Sequence, residues 1–165
     1  GAYPPLTFKT GNTERMRIDS AGRVTMPYQP SFSAFLNANL SQPYGVNLVL
    51  GTWTQSHDTG NNYDPVTRRF TAPVAGVYHF DCNVGTVGSA GVFYYLSAEI
   101  NVNGVRTRNG GWEGSSSISY SAANYSGNVY LNALEYVELG CESDKIFTMQ
   151  AGSLGQTLFS GYLIG

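Results

Sequence analysis

Phe70-Thr71-Ala72-Pro73-Val74-Ala75-Gly76-Val77-Tyr78-His79-Phe80 is the stretch that decides the fold. It reads as the end of one strand, a tight turn and the start of another. Phe70 closes the first strand. Pro73 fixes φ and removes a backbone donor where pairing must stop. Gly76 permits backbone angles that a side chain would forbid. Beyond it, Tyr78, Phe80 and Cys82 alternate onto one face of the next strand, with His79 on the other.

Working outward, period-two alternation recurs in both directions, and no window carries helical periodicity. The pattern predicts strands at 32–37, 46–51, 67–71, 77–84, 92–101, 105–107, 128–133, 136–141, 146–149 and 157–164. Asn103-Gly104 predicts a two-residue hairpin turn, because both central positions of that turn favour positive φ. Several strands are apolar on both faces: Phe32 opposes Phe35, Val129 and Leu131 oppose Tyr130, and Phe159, Gly161 and Leu163 oppose Tyr162 and Ile164. A lone antiparallel sandwich shows polar residues on its outer faces. The pattern therefore predicts an external partner, with Phe35, Phe159 and Tyr162 as the candidate trimer-interface residues.

Taken with Asp58 and Tyr63 upstream, the spacing of Phe70, Pro73, Gly76, Tyr78 and Phe80 resembles the signature of the globular head of complement component 1, subcomponent q. The closing run Leu158-Phe159-Ser160-Gly161-Tyr162-Leu163-Ile164 resembles that family's last strand. Leu134-Glu135 stands where the family prefers Gly-Asp. Two further positions depart: Thr52, with Trp53 beside it, replaces an aromatic, and Cys82 replaces the last aromatic. The resemblance implies an all-β antiparallel jelly-roll sandwich of the complement and tumour necrosis factor type over residues 30–165, assembled as a homotrimer.

Residues 1–29 differ. Leu6 and Phe8, Met16 and Ile18, then Val24 and Met26 alternate with polar residues, and Ser20-Ala21-Gly22-Arg23 is a turn. So few residues bury little surface within one chain. The run from Thr13 to Val24 resembles a segment that recurs in bacteriophage tail fibres ahead of a terminal domain. It implies a fibre-like β stalk packed with the same segment of other copies, and Pro27-Tyr28-Gln29-Pro30 reads as a stiff link. The chain opens Gly1-Ala2-Tyr3-Pro4 without an initiator methionine, which reads as a fragment or processed product.

With 165 residues, only 12% of them charged, and 20 glycines and 12 tyrosines, the composition fits one turn-rich β domain with much buried surface. A net charge of −2 gives no electrostatic reason for nucleic acid. No apolar run reaches the length of a membrane span. Cys82 and Cys141 share parity with apolar strand neighbours. Buried free thiols are the favoured reading, and a disulfide across the core is the other.

Candidate chemistry is sparse. Ser56-His57-Asp58 are adjacent, and adjacent side chains do not converge on one point as a relay requires. His79 reads as a strand residue. Asp58, Asn61, Asn62 and Asp64 make an oxygen-rich loop, but two carboxylates are thin for calcium. Some relatives of the family bind calcium near the threefold axis, and no other cofactor is expected. Alternate loops of a jelly roll gather at opposite ends, so 85–91, 109–117 and 151–156 are expected at the tip, away from the stalk. Trp112, Glu113 and Ser89 are the candidate ligand-binding residues there. Trp112 either stacks on a sugar ring or packs against a neighbouring subunit. The expectation is a non-enzymatic distal head of a phage or viral fibre, binding a host-surface glycan or protein receptor and joined to the rest of the fibre. The alternative is a secreted complement-like or cytokine-like recognition protein.

Overall fold

A computed structural model describes residues 4–44, 47–87, 95–111, 120–152 and 156–165. Its strands are β1 (Leu6–Thr10), β2 (Thr13–Ile18), β3 (Val24–Thr25), β4 (Ser31–Leu36), β5 (Leu40–Gln42), β6 (Trp53–Thr59), β7 (Tyr63–Asp64) and β8 (Arg69–Thr71), followed by β9 (Gly76–Val87), β10 (Leu96–Val102), β11 (Val105–Gly110), β12 (Tyr120–Leu131), β13 (Tyr136–Ser143), β14 (Phe147–Met149) and β15 (Thr157–Leu163). No helix occurs among the described residues. One sheet runs β5-β14-β9-β15-β4-β6, with β12 also paired to β9; a second runs β11-β10-β13-β8-β7. Every pairing is antiparallel, and the two sheets enclose one hydrophobic core.

The signature residues build that core. Asp58 accepts the backbone N–H groups of Asn62 and Tyr63 (3.1 and 2.8 Å), which sets the turn into β7. The Tyr63 ring then stacks on Phe32, with ring centroids 4.8 Å apart. Phe32 stacks in turn on Phe70 at 4.8 Å and meets Phe159 edge-on at 4.9 Å. Phe80 lies between Phe70 and Phe159. Such offset and edge-to-face pairs add to the area these rings bury. Tyr78 donates its hydroxyl to the Val74 carbonyl, tying the turn to the strand that follows it. A Cβ on Gly76 would sit 2.8 Å from Leu163 Cδ1 and 3.1 Å from the Gly165 carbonyl, so only glycine fits there unshifted. The departures from the signature are absorbed locally: Trp53 turns inward beside an exposed Thr52, and Cys82 is buried.

Asn103 (φ 51°) and Gly104 (φ 78°) form the expected hairpin turn between β10 and β11. Cys82 and Cys141 are buried free thiols, one in each sheet. Burial pushes the Cys82 thiol well up from its ordinary value, and the Cys141 thiol up as well.

Three strand expectations need correction. Of 46–51, residue 46 lies outside the described residues and 47–51 form no strand. Leu48 instead makes a single bridge to Gly140, and Val49 is buried. Residues 92–94 also lie outside, and the strand there begins at Leu96. The strand expected at 128–133 is the end of a longer one, β12, which pairs with β9 from Tyr120↔Val87 to Leu131↔Gly76.

β1, β2 and β3 form a separate three-stranded sheet that, among the described residues, pairs only within itself. Leu6 and Phe8 pair with Ile18 and Met16, and Val24 pairs with Ile18, so all five share one face. That face is open; Leu6 is 57% exposed. On the connection, Gln29 donates to the Leu163 carbonyl, and Leu163 N–H donates to the Pro30 carbonyl.

Candidate functional site

The hydrogen bonds at residues 29, 30 and 163 put both ends of the jelly roll together. At the opposite end Val87 pairs with Tyr120 and Thr148, the Gly152 N–H reaches the Leu36 carbonyl, and Thr157 pairs with Val84. Strand ends leading toward 88–94, 112–119 and 153–155 thus share the end away from residue 30. Trp112, Glu113 and Ser89 themselves lie outside the described residues.

The outward face of the larger sheet is built by register. Thr54, Phe35, Leu158, Asn83 and Asn124 form one row across it, nearer the tip end. His57, Ser33, Ser160, Asp81 and Ser126 form the next, and Thr59, Ser31, Tyr162, His79 and Asn128 the third. His79 sits within a polar set: Nδ1 lies 2.7 Å from Asn128 Oδ1, and Nε2 lies 3.3 Å from both Asp81 Oδ1 and Ser126 Oγ. Its ring lies 5.3 Å from that of Tyr162. Below this row Val77 pairs with an exposed Tyr130. The face therefore carries aromatic and aliphatic residues at both ends of a polar band.

Of the three candidate interface residues, Phe35 and Tyr162 stand on this face, with Tyr162 47% exposed. Phe159 does not. It is 1% exposed in the single chain and points into the aromatic core, so it offers nothing to a partner. Parity had grouped Phe159 correctly with Gly161, but the side assigned to a partner is the side the second sheet covers.

His57 and Asp58 lie on β6 and not in a loop, and the carboxylates here carry structural bonds. His57 is exposed, and Asp58 is engaged with its own turn. Asp64 accepts the Val66 N–H and the Thr67 hydroxyl, both at 2.8 Å. The Thr67 hydroxyl bond, the Val66 N–H and nearby Arg68 hold its carboxyl below the usual range.

The most concentrated polar chemistry lies on the outward side of the smaller sheet, and the sequence reading missed it. Glu99 is wholly buried there. It accepts from the Ser97 hydroxyl at 2.7 Å and pairs with Arg106 Nε at 2.8 Å. Arg106 also reaches Glu142 at 2.6 Å. Burial raises the Glu99 carboxyl above its ordinary value against the pull of Ser97 and Arg106. Beside them Arg69 bonds Glu138 at 2.9 Å and lies over the Tyr136 ring at 4.0 Å. The signal available in sequence was the parity of Ser97, Glu99 and Asn101, opposite Ala98 and Ile100 on one strand. The cover supplied by Asn47 and Leu48 was not readable there.

No protein-family model matches the chain, and no curated protein matches it in sequence. Solved structures do. The globular domain of zebrafish complement 1qA protein superposes with a TM-score of 0.57 at 17% identity, over 82% of this chain and 98% of that one. Murine APRIL at pH 5.0 gives 0.61 at 11% identity, over 82% and 99%. Eiger TNF from S. frugiperda gives 0.60 at 10% identity, over 83% and 93%. At such identities the likeness is one of architecture: the chain has the antiparallel jelly roll seen in the complement 1q globular domain and in tumour necrosis factor proteins.

Proposed function

We propose that this chain is a non-enzymatic recognition module that works as a homotrimer at the distal end of a phage or viral tail fibre. The outward face of β4, β15, β9 and β12 is the assembly surface, with Phe35, Tyr162 and Tyr130 among its apolar contributors. Trp112, Glu113 and Ser89 contact a glycan or protein on the host surface, outside the cell. Threefold repetition turns weak single sites into firm attachment.

The observation that carries this reading is the N-terminal sheet. Its residues resemble fibre sequence, and they fold into a meander with Leu6, Phe8, Met16, Ile18 and Val24 open on one face. A sheet this small gains stability by covering that face, and copies of the same segment offer a matching surface. Surface loops on a fixed scaffold carry recognition, which favours the end away from that sheet.

Sedimentation velocity at micromolar concentration tests assembly: a trimer is expected, dissociating on Tyr162→Glu. A monomeric wild type would end the proposal. Adsorption to host cells tests recognition. A trimer carrying Trp112→Ala with Glu113→Ala should lose adsorption, and unchanged adsorption would overturn the assignment of the tip.

A further inference from the structure

We infer that the groove on the outward side of the smaller sheet is a second binding site, one for a neutral saccharide. The groove holds about 370 Å³ and is lined by Asn47, Arg69, Asn101, Gly104, Tyr136 and Glu138, among others. That volume accommodates one or two sugar rings.

The observation that points to a ligand is Asn101. Its side chain is 4% exposed and lines the groove, yet its Oδ1 is buried with no hydrogen-bond partner. A buried amide oxygen left unpaired is costly, and native proteins rarely keep one without a use. The other end of the amide faces Asn47, 3.5 Å from its backbone carbonyl and 3.3 Å from its side-chain amide. Asn47 is itself fixed: with its amide turned to suit both neighbours, it donates to Glu99 Oε2 at 2.8 Å and accepts from Arg106 Nε at 3.2 Å. The wall of the groove is thus held in place before any ligand arrives.

Charge selects the class of ligand. Arg69 and Glu138 neutralise one another at 2.9 Å, and Arg106 is shared by Glu99 and Glu142 behind them. An anion would meet these carboxylates and a cation would meet the arginines. A hydroxyl both donates and accepts, so it satisfies the Asn101 amide whichever way that amide is turned. Arg69 uses Nε on Glu138, which leaves its terminal N–H donors for ring or hydroxyl oxygens. A neutral compound dense in hydroxyls matches this set, and a saccharide is one. The site lies on the opposite sheet from Tyr162, so assembly through the larger sheet leaves it open, once per chain. It does not depend on the tip residues.

The test uses the full chain and a panel of neutral oligosaccharides built from glucose, galactose, mannose and N-acetylglucosamine, with a sialylated and a cationic sugar as controls. Saturation-transfer NMR should detect at least one neutral member binding with a dissociation constant on the order of 1 mM. Amide shift changes in the unmutated protein should centre on Asn101, Gly104 and Tyr136. Asn101→Leu should weaken binding by roughly 10-fold or more. The proposal fails if no neutral sugar binds, if the controls bind better, or if the shifts map to the β9 and β12 face. If Asn101→Leu does not fold, the shift map decides alone.

Discussion

Truncating Phe159 separates core from interface. Its ring lies 4.9 Å from Phe32, 5.9 Å from Phe80 and 6.2 Å from Tyr63. β15 is pinned on both sides, by β4 and by β9, so the backbone cannot close over a missing ring. Most of the cavity left by Phe159→Ala therefore persists, and the loss should fall in the upper part of the usual range, about 4–5 kcal/mol. Phe159→Leu keeps much of the volume and should lose about 1.5 kcal/mol. Equilibrium urea unfolding followed by tryptophan fluorescence measures both, with sedimentation run alongside. The expected result is a large drop in stability with unchanged association of the folded molecules. A loss below about 1.5 kcal/mol for the alanine variant, together with weakened association, would refute the placement of Phe159 in the core.

Three further outcomes follow from the same geometry. Burial raises the Glu99 carboxyl, so its contribution to stability is fully present below the ordinary glutamate value and is lost as pH rises through the raised folded value; Glu99→Gln should flatten that part of a stability–pH curve. Asp64, held low, acts in the opposite sense and loses its contribution as pH falls, which gives a control within the same curve. Leu134 is largely exposed and holds φ at 71°, so Leu134→Gly should raise stability by roughly 0.5–1 kcal/mol, read as a higher urea midpoint. Cys82 and Cys141 should both resist a thiol reagent in the folded protein and react together on unfolding; prompt modification of either would contradict their burial.

The core strands were legible because each carries large apolar residues at every second position between turn residues. β9 shows this best, with Tyr78, Phe80, Cys82 and Val84 all inward. β6 escaped because Thr54 to Thr59 contains no apolar residue; its membership rests on backbone pairing with β4. The first half of β12 escaped similarly, since Ser121 to Gly127 holds only small or polar residues apart from Tyr125, and a long pairing with β9 holds it. The run at Leu48 and Val49 misled because it makes a single bridge beside β13 and not a full strand, with Val49 buried in the core. The polar groove was invisible for the same reason. Asn101 and Glu138 are register partners across β10 and β13, and Asn47 joins them through the bridge of Leu48 to Gly140. The β15 parity was right, but alternation alone does not say which face meets the second sheet.

The hydrogen bonds that join Gln29 and Pro30 to Leu163 have an evolutionary and practical consequence. Entry and exit of the jelly roll share one small patch. The head is therefore a cassette. A crossover between genes near codons 27–30 exchanges the whole jelly roll without cutting a strand pairing of either large sheet. The same junction lets an unrelated trimeric stem carry this head, with loop sequences then varied independently of how the head is mounted.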